Sequence, residues 1–190
     1  LYTSQTRTKD GITVKVPPQL LQLVSGPAHK NRQTVITLQT GANDVRWGDW
    51  LAKCIYAACG TDADKTAAQT LIASQQLKLH VALAGLVVAE HGTPVLVGGV
   101  YDPFFGSAAY AGAYGIDPAE YAWLQSMIAD FNTSIQKTAN VYSGYGVQYV
   151  PIALTSPDQI QSAADREPFH PTAVGQAAIA QQFLAALNKQ

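Results

Sequence analysis

The sequence predicts an α/β protein with a parallel sheet, on three observations. A β-branched apolar run at residues 34–40 stops at Gly41, as a buried strand ends in a turn. Ala-rich stretches with helical spacing then alternate with two further strand-length runs, at 95–100 and 147–152. No internal repeat or low-complexity linker interrupts them, so strand and helix alternate three times in what reads as one domain over residues 1–190.

The elements follow from local chemistry. Pro17-Pro18 ahead of Gln19-Leu20-Leu21-Gln22-Leu23-Val24, closed by Ser25-Gly26-Pro27, reads as a short helix. Residues 62–91 are long, Ala-rich and apolar at helical spacing, so they read as one crossover helix delivering the strand at 95–100. Asp117-Pro118-Ala119-Glu120 starts a helix with an N-cap aspartate, a proline at the first position and a carboxylate in the first turn. That helix is expected to run to about Thr138. The Ala/Gln/Leu composition of residues 172–187 is strongly helical.

Length and composition set bounds. A chain of 190 residues can bury a full α/β core, and 47% hydrophobic content describes a folded chain. A net charge of −1 with 13% charged residues leaves no basic field for nucleic acid and no polybasic membrane patch. There is no uninterrupted apolar run of about 20 residues, and so no transmembrane segment is expected. Nothing in the sequence asks for a cofactor, and no Cys or His pairs stand at metal-ligand spacing.

Two short blocks carry chemistry. Gly41-Ala42-Asn43-Asp44 follows the first strand, where its side chains would reach the carboxyl edge of the sheet, the place where ligands bind in open parallel sheets. Glu167-Pro168-Phe169-His170-Pro171, with Gly175 beyond, puts a histidine just before the last helix. Together the blocks resemble the SGNH (GDSL-type) hydrolases, secreted or periplasmic esterases, lipases and acyltransferases. The stretch from Pro94 to Phe104 is similar to the strand and loop that separate the blocks in that family.

The resemblance, which runs from about Gln19 to the C-terminus, implies a flavodoxin-like three-layer α/β/α sandwich. It makes His170 the general base, Glu167 the acid that orients it, and the Asn43 side chain an oxyanion-hole donor. The family usually has aspartate at the acid position; Asp165 is the alternate, at a less fitting spacing. Asp44 reads as the cap of a helix beginning near Val45. The family's Gly-Asp-Ser nucleophile block occurs nowhere in the chain, and Gly48-Asp49 is followed by Trp50. The expectation is therefore the C-terminal portion of such a domain, with the first strands and the serine supplied from outside these residues. In the family's strand order the run at 34–40 would otherwise be a bare sheet edge. The N-terminal fragment of the same protein is then a partner.

Other residues shape the expected function. Trp47 and Trp50 after the first block, and Tyr101, Phe104, Phe105, Tyr110 and Tyr114 after the next strand, crowd loops at that edge. Gly41, Trp47, Tyr101 and Phe104 are taken as walls of an apolar cleft for an acyl-ester substrate, against the alternatives of ordinary aromatic core or a sugar platform. Cys54 and Cys59 could close a short disulfide loop if a helix ends between them, the other reading being two buried free thiols. A cysteine pair follows the asparagine block in a similar way in secreted actinobacterial-type members of the family. The expected product is a secreted or cell-envelope bacterial ester hydrolase, with acyl transfer or a non-catalytic binding module as alternatives. His29, His80 and His91 lack a motif, Ser25 near His29 is a poor nucleophile, and Asn132-Thr133-Ser134, a glycosylation sequon by pattern, reads as a helix-surface accident.

Overall fold

The computed structural model describes residues 5–9, 12–16, 35–90, 92–162 and 169–189. An antiparallel hairpin of β1 (Gln5–Lys9) and β2 (Ile12–Val16) comes first. The sheet that follows is parallel and ordered β3-β4-β5, from β3 (Ile36–Gln39), β4 (Val95–Gly98) and β5 (Val147–Val150). Its helices are α1 (Trp47–Tyr56), α2 (Asp62–Ala89), α3 (Ala108–Gly112), α4 (Pro118–Val141) and α5 (Ala173–Leu187). The helix expected at 19–24, His29, Ser25, His91, Asp165 and Glu167 lie outside the described residues.

Alternation along β4 builds the three layers. All four of its residues are buried, as a central parallel strand requires. Val95 and Val97 join the core under α2 and α4, with Leu79, Leu83, Leu124 and Phe131. Leu96 points the other way, into a second core with Val150, Ile179 and Phe183 under α5. Gly98 is small because a Cβ there would stand 2.6 Å from the Phe183 ring.

Helix starts follow their sequence signals. Thr61 caps α2 in a reciprocal box with Asp64, and Asp117 caps α4 with Glu120 in the same way. By length and composition α2 is able to cross a membrane, which the broken apolar pattern did not suggest. Here Ala68, Ile72, Leu79, Leu83 and Leu86 of α2 are spent on the core, while Leu77, Val81 and Val88 face solvent.

Asp44 is a correction. Helix α1 has Arg46, in a left-handed conformation, at its N-cap with no side-chain bond, and the Asp44 carboxylate instead accepts the Lys78 ammonium at 2.7 Å. A second correction concerns Asn132: it is a half-buried tether, not a surface accident, its amide bonded to the backbone of Val100. Cys54 and Cys59 form a disulfide, with α1 ending between them at Tyr56. The Cys59 N–H donates to Glu120 Oε1 at 2.8 Å, which ties this loop to the start of α4.

Candidate active site

The Gly41–Asp44 block and the described part of the second block, Phe169 to Pro171, are held near the carboxyl end of the sheet. β3 and β4 run in register from Ile36 opposite Val95 to Gln39 opposite Gly98. Just beyond, Gln39 Nε2 donates to the Gly99 carbonyl at 3.2 Å, so the two strand ends are stitched side by side. Gly41 then turns the chain with φ +101°, a conformation glycine takes freely. A Cβ there would meet Phe131 at 2.6 Å and the buried Gln75 amide at 2.7 Å. The Val45 N–H closes the turn on the Gly41 carbonyl at 2.9 Å, and Asn43 is left exposed on it.

The second block sits on a turn of its own. Gln161 N–H donates to the His170 carbonyl at 2.8 Å and Phe169 N–H to the Gln161 carbonyl at 3.1 Å, while Ile160 bridges Pro171. Thr172 caps α5, accepting from the Gly175 N–H at 3.2 Å and donating to the Asp158 carbonyl at 2.6 Å. Gly175 is required by space: a Cβ would overlap the Gln159 carbonyl. His170 is exposed on this turn, at the start of α5 rather than inside it. The turn is linked to β4 through Tyr101, whose hydroxyl donates to the Phe169 carbonyl at 3.1 Å.

The aromatic residues divide. Phe104 is no cleft wall, being 1% exposed at the centre of a cluster with Tyr110, Tyr114, Tyr121 and Phe169. Trp50 packs edge-on to Trp123 and donates its indole N–H to the Val45 carbonyl at 2.8 Å, which makes it a structural support. Trp47 and Tyr101 are half-buried, and Gly41 is buried under the turn. Trp47 also borders, with Val45, Val100 and Phe131, a small gap between the Gly41 turn and α4. Asp102 organises the loop after β4, accepting from Phe104 N–H at 2.9 Å, Gly106 N–H at 2.6 Å and the Tyr121 hydroxyl at 2.9 Å. Burial, and then that bond, push the Tyr121 phenol up, so it stays a donor. Burial pushes the Tyr101 phenol up to about 12, with the same consequence.

Asn132 is the residue that sequence reasoning missed. A polar side chain in mid-helix, 32 residues from its partner, leaves no local signal. It matters because it fixes the backbone just past β4. Gly99, beside it, has no room for a Cβ between Tyr149 Oη at 2.5 Å and Asn132 Oδ1 at 2.8 Å. Among the described residues no cluster of His, Cys, Asp and Glu could hold a metal ion.

No protein-family profile and no curated protein sequence matches the chain. Solved structures do. An extracellular lipase from Streptomyces rimosus matches with a TM-score of 0.54, over 80% of this chain and 68% of that one, at 18% identity. A phospholipase A1 from Streptomyces albidoflavus matches with a TM-score of 0.61, over 87% of this chain and 74% of that one, at 19% identity. With its parallel three-stranded sheet between helical layers and the likeness to these two enzymes, the chain has the three-layer α/β/α fold of the SGNH-type hydrolases.

Proposed function

We propose that the chain forms the base and oxyanion side of an exported carboxylic-ester hydrolase of the lipolytic kind. His170 takes the proton from a serine hydroxyl as its oxygen attacks the ester carbonyl, and returns it to the departing alcohol. Glu167 is assigned to the imidazole's other nitrogen by its place three residues earlier. The Asn43 amide donates to the tetrahedral oxyanion. The reading rests on one observation above others: the Gly41 turn and the His170 turn are both anchored to the end of β4, by the Gln39–Gly99 and Tyr101–Phe169 hydrogen bonds. The disulfide, and the likeness to an enzyme described as an extracellular lipase, support export. Trp47 is kept as a wall of the acyl site.

The nucleophile is placed outside these 190 residues, because no Gly-Asp-Ser stands among them. Among the described residues β3 pairs only with β4, and its other edge is where we assign the strand that would carry the serine. A fluorophosphonate probe tests this, since it reacts with a serine whose base and oxyanion donors are in place. The chain alone is expected to stay unlabelled. A form completed with a Gly-Asp-Ser segment is expected to be labelled on that serine, and His170→Ala to abolish the labelling. Labelling of Ser4, Ser25 or another serine of this chain overturns the placement. An unlabelled completed form favours a non-catalytic module that kept the fold.

A further inference from the structure

The turn that presents His170 is strained at the residue before it. Phe169 has φ +63°, a left-handed conformation that residues with a Cβ rarely adopt, so its surroundings must hold it there. Its ring packs edge-on against Phe104 at 5.5 Å and Tyr114 at 5.4 Å. Its N–H is bonded to the Gln161 carbonyl at 3.1 Å, and its carbonyl accepts the Tyr101 hydroxyl at 3.1 Å.

That last bond acts on the peptide unit joining Phe169 to His170. A planar peptide with its oxygen pinned cannot turn about its ends, and those torsions set where the next Cβ points. The His170 carbonyl is pinned in turn by the Gln161 N–H at 2.8 Å. Tyr101 is well placed to serve as a fixed point. It lies three residues past the end of β4, next to Val100, which Asn132 holds by two bonds, and to Asp102, whose carboxylate bonds three partners.

We propose that Tyr101 is a positioning residue: its hydroxyl fixes the Phe169–His170 peptide and thereby the direction of the His170 imidazole. The cleft-wall role expected for it from the sequence is replaced by this one. The inference deepens the reading of His170 as the base and rests on it for its catalytic meaning, but the geometric claim is tested without activity.

The test is the imidazole Cε1–H NMR resonance of His170 in the 190-residue chain, assigned by its loss in His170→Gln. Tyr101→Phe keeps the ring and removes the donor, and is expected to displace or broaden the His170 signal while that of His80 stays. Tyr142→Phe, which removes a comparable bond to the His80 carbonyl at 3.1 Å, is expected to do the reverse. Phe169→Gly, which takes a left-handed φ without strain but loses the ring, is expected to leave His170 in place because the Tyr101 bond is to backbone. An unmoved His170 in Tyr101→Phe overturns the proposal, and so does a His170 displaced by Phe169→Gly with Tyr101 intact. In the completed, ester-cleaving form Tyr101→Phe is expected to lower kcat roughly 10- to 100-fold with KM little changed. A displaced His170 signal with no ester cleavage in any completed form supports the positioning and overturns the reading of His170 as a base.

Discussion

The Asn132 side chain spans the gap from α4 to the end of β4 and makes both of its hydrogen bonds to one residue, accepting from Val100 N–H at 2.7 Å and donating to the Val100 carbonyl at 2.8 Å. A strand end has lost its ladder partners on one side, and this amide replaces them with a single side chain of matched donor and acceptor. The loop that carries Tyr101 and Asp102 therefore leaves the sheet in a fixed direction.

Asn132→Leu, close in volume, removes both bonds and strands the N–H and carbonyl of Val100, which is buried. The expected loss is about 2–4 kcal/mol, from two unsatisfied backbone groups at roughly 1–3 kcal/mol each with partial relief by water. Urea unfolding measures it. Asn132→Asp keeps the acceptor for the N–H and sets a carboxylate against the carbonyl, so it too should destabilise.

Gly175→Ala is expected to destabilise despite the higher helix propensity of alanine. Its Cβ overlaps the Gln159 carbonyl, a backbone atom held by the Thr172 N–H at 3.0 Å, so the first turn of α5 has to shift. Overpacking of this kind costs roughly 1–3 kcal/mol, and a lowered melting temperature is the readout.

What was legible in the sequence follows from how far each signal reaches. The long helices announced themselves through local chemistry: the Asp117–Glu120 box opens α4 as its residues imply, and α2 spans Asp62–Ala89, close to the stretch read as a crossover. The strands were located, though β3 is shorter than the apolar run around it. Hidden were the features that depend on distant partners. Asp44 reads as the cap of a helix beginning near Val45, but the helix starts at Trp47 behind Arg46, and Lys78, 34 residues away, takes the Asp44 carboxylate. Phe104 has a loop residue's neighbours and a core residue's burial, because aromatic content does not tell a cleft from a closed cluster. The left-handed conformations of Arg46, Phe105 and Phe169 have no signature, since none is glycine or asparagine.

Reduction of Cys54–Cys59 is expected to destabilise the fold modestly. The loop is short, five residues of separation, so the chain-entropy account gives about 2 kcal/mol. For a chain of this size that is a fall of roughly 4–8 °C in Tm. Calorimetry with and without reductant checks it, and an unchanged Tm would show that the Glu120 bond and the Lys53–Asp64 ion pair hold the loop unaided.

Asp64 links stability to pH. Its carboxylate receives the Lys53 ammonium at 2.6 Å and lies in the Thr61 capping box. The Lys53 bond holds it below the ordinary aspartate value of 3.8, against the opposing effect of burial. A carboxyl lowered in the folded state contributes stability that is present above 3.8 and disappears as pH falls through the lower folded value. Asp64→Asn is therefore expected to cost about 1 kcal/mol or more at pH 7 and less at pH 3, below the unfolded value. Equal losses at both pH values would show that the side chain acts through shape alone.

The last prediction separates two adjacent residues of the Gly41 turn. Asn43 is exposed and Asp44 is tied to Lys78, so their side chains have different work although both are short and polar. In the completed, ester-cleaving form Asn43→Ala is expected to lower kcat on the order of 100-fold or more with stability unchanged, as loss of one oxyanion donor does. Asp44→Ala removes a partly exposed ion pair, worth about 1 kcal/mol or less, and is expected to leave kcat within a few-fold. Gly41→Ala is the third comparison: its Cβ collides with Phe131 and Gln75 at a φ that alanine disfavours, so stability and kcat should fall together. Paired measurements of melting temperature and kcat on the three variants decide the matter, and a mild Asn43→Ala beside a crippling Asp44→Ala would move the oxyanion role off Asn43.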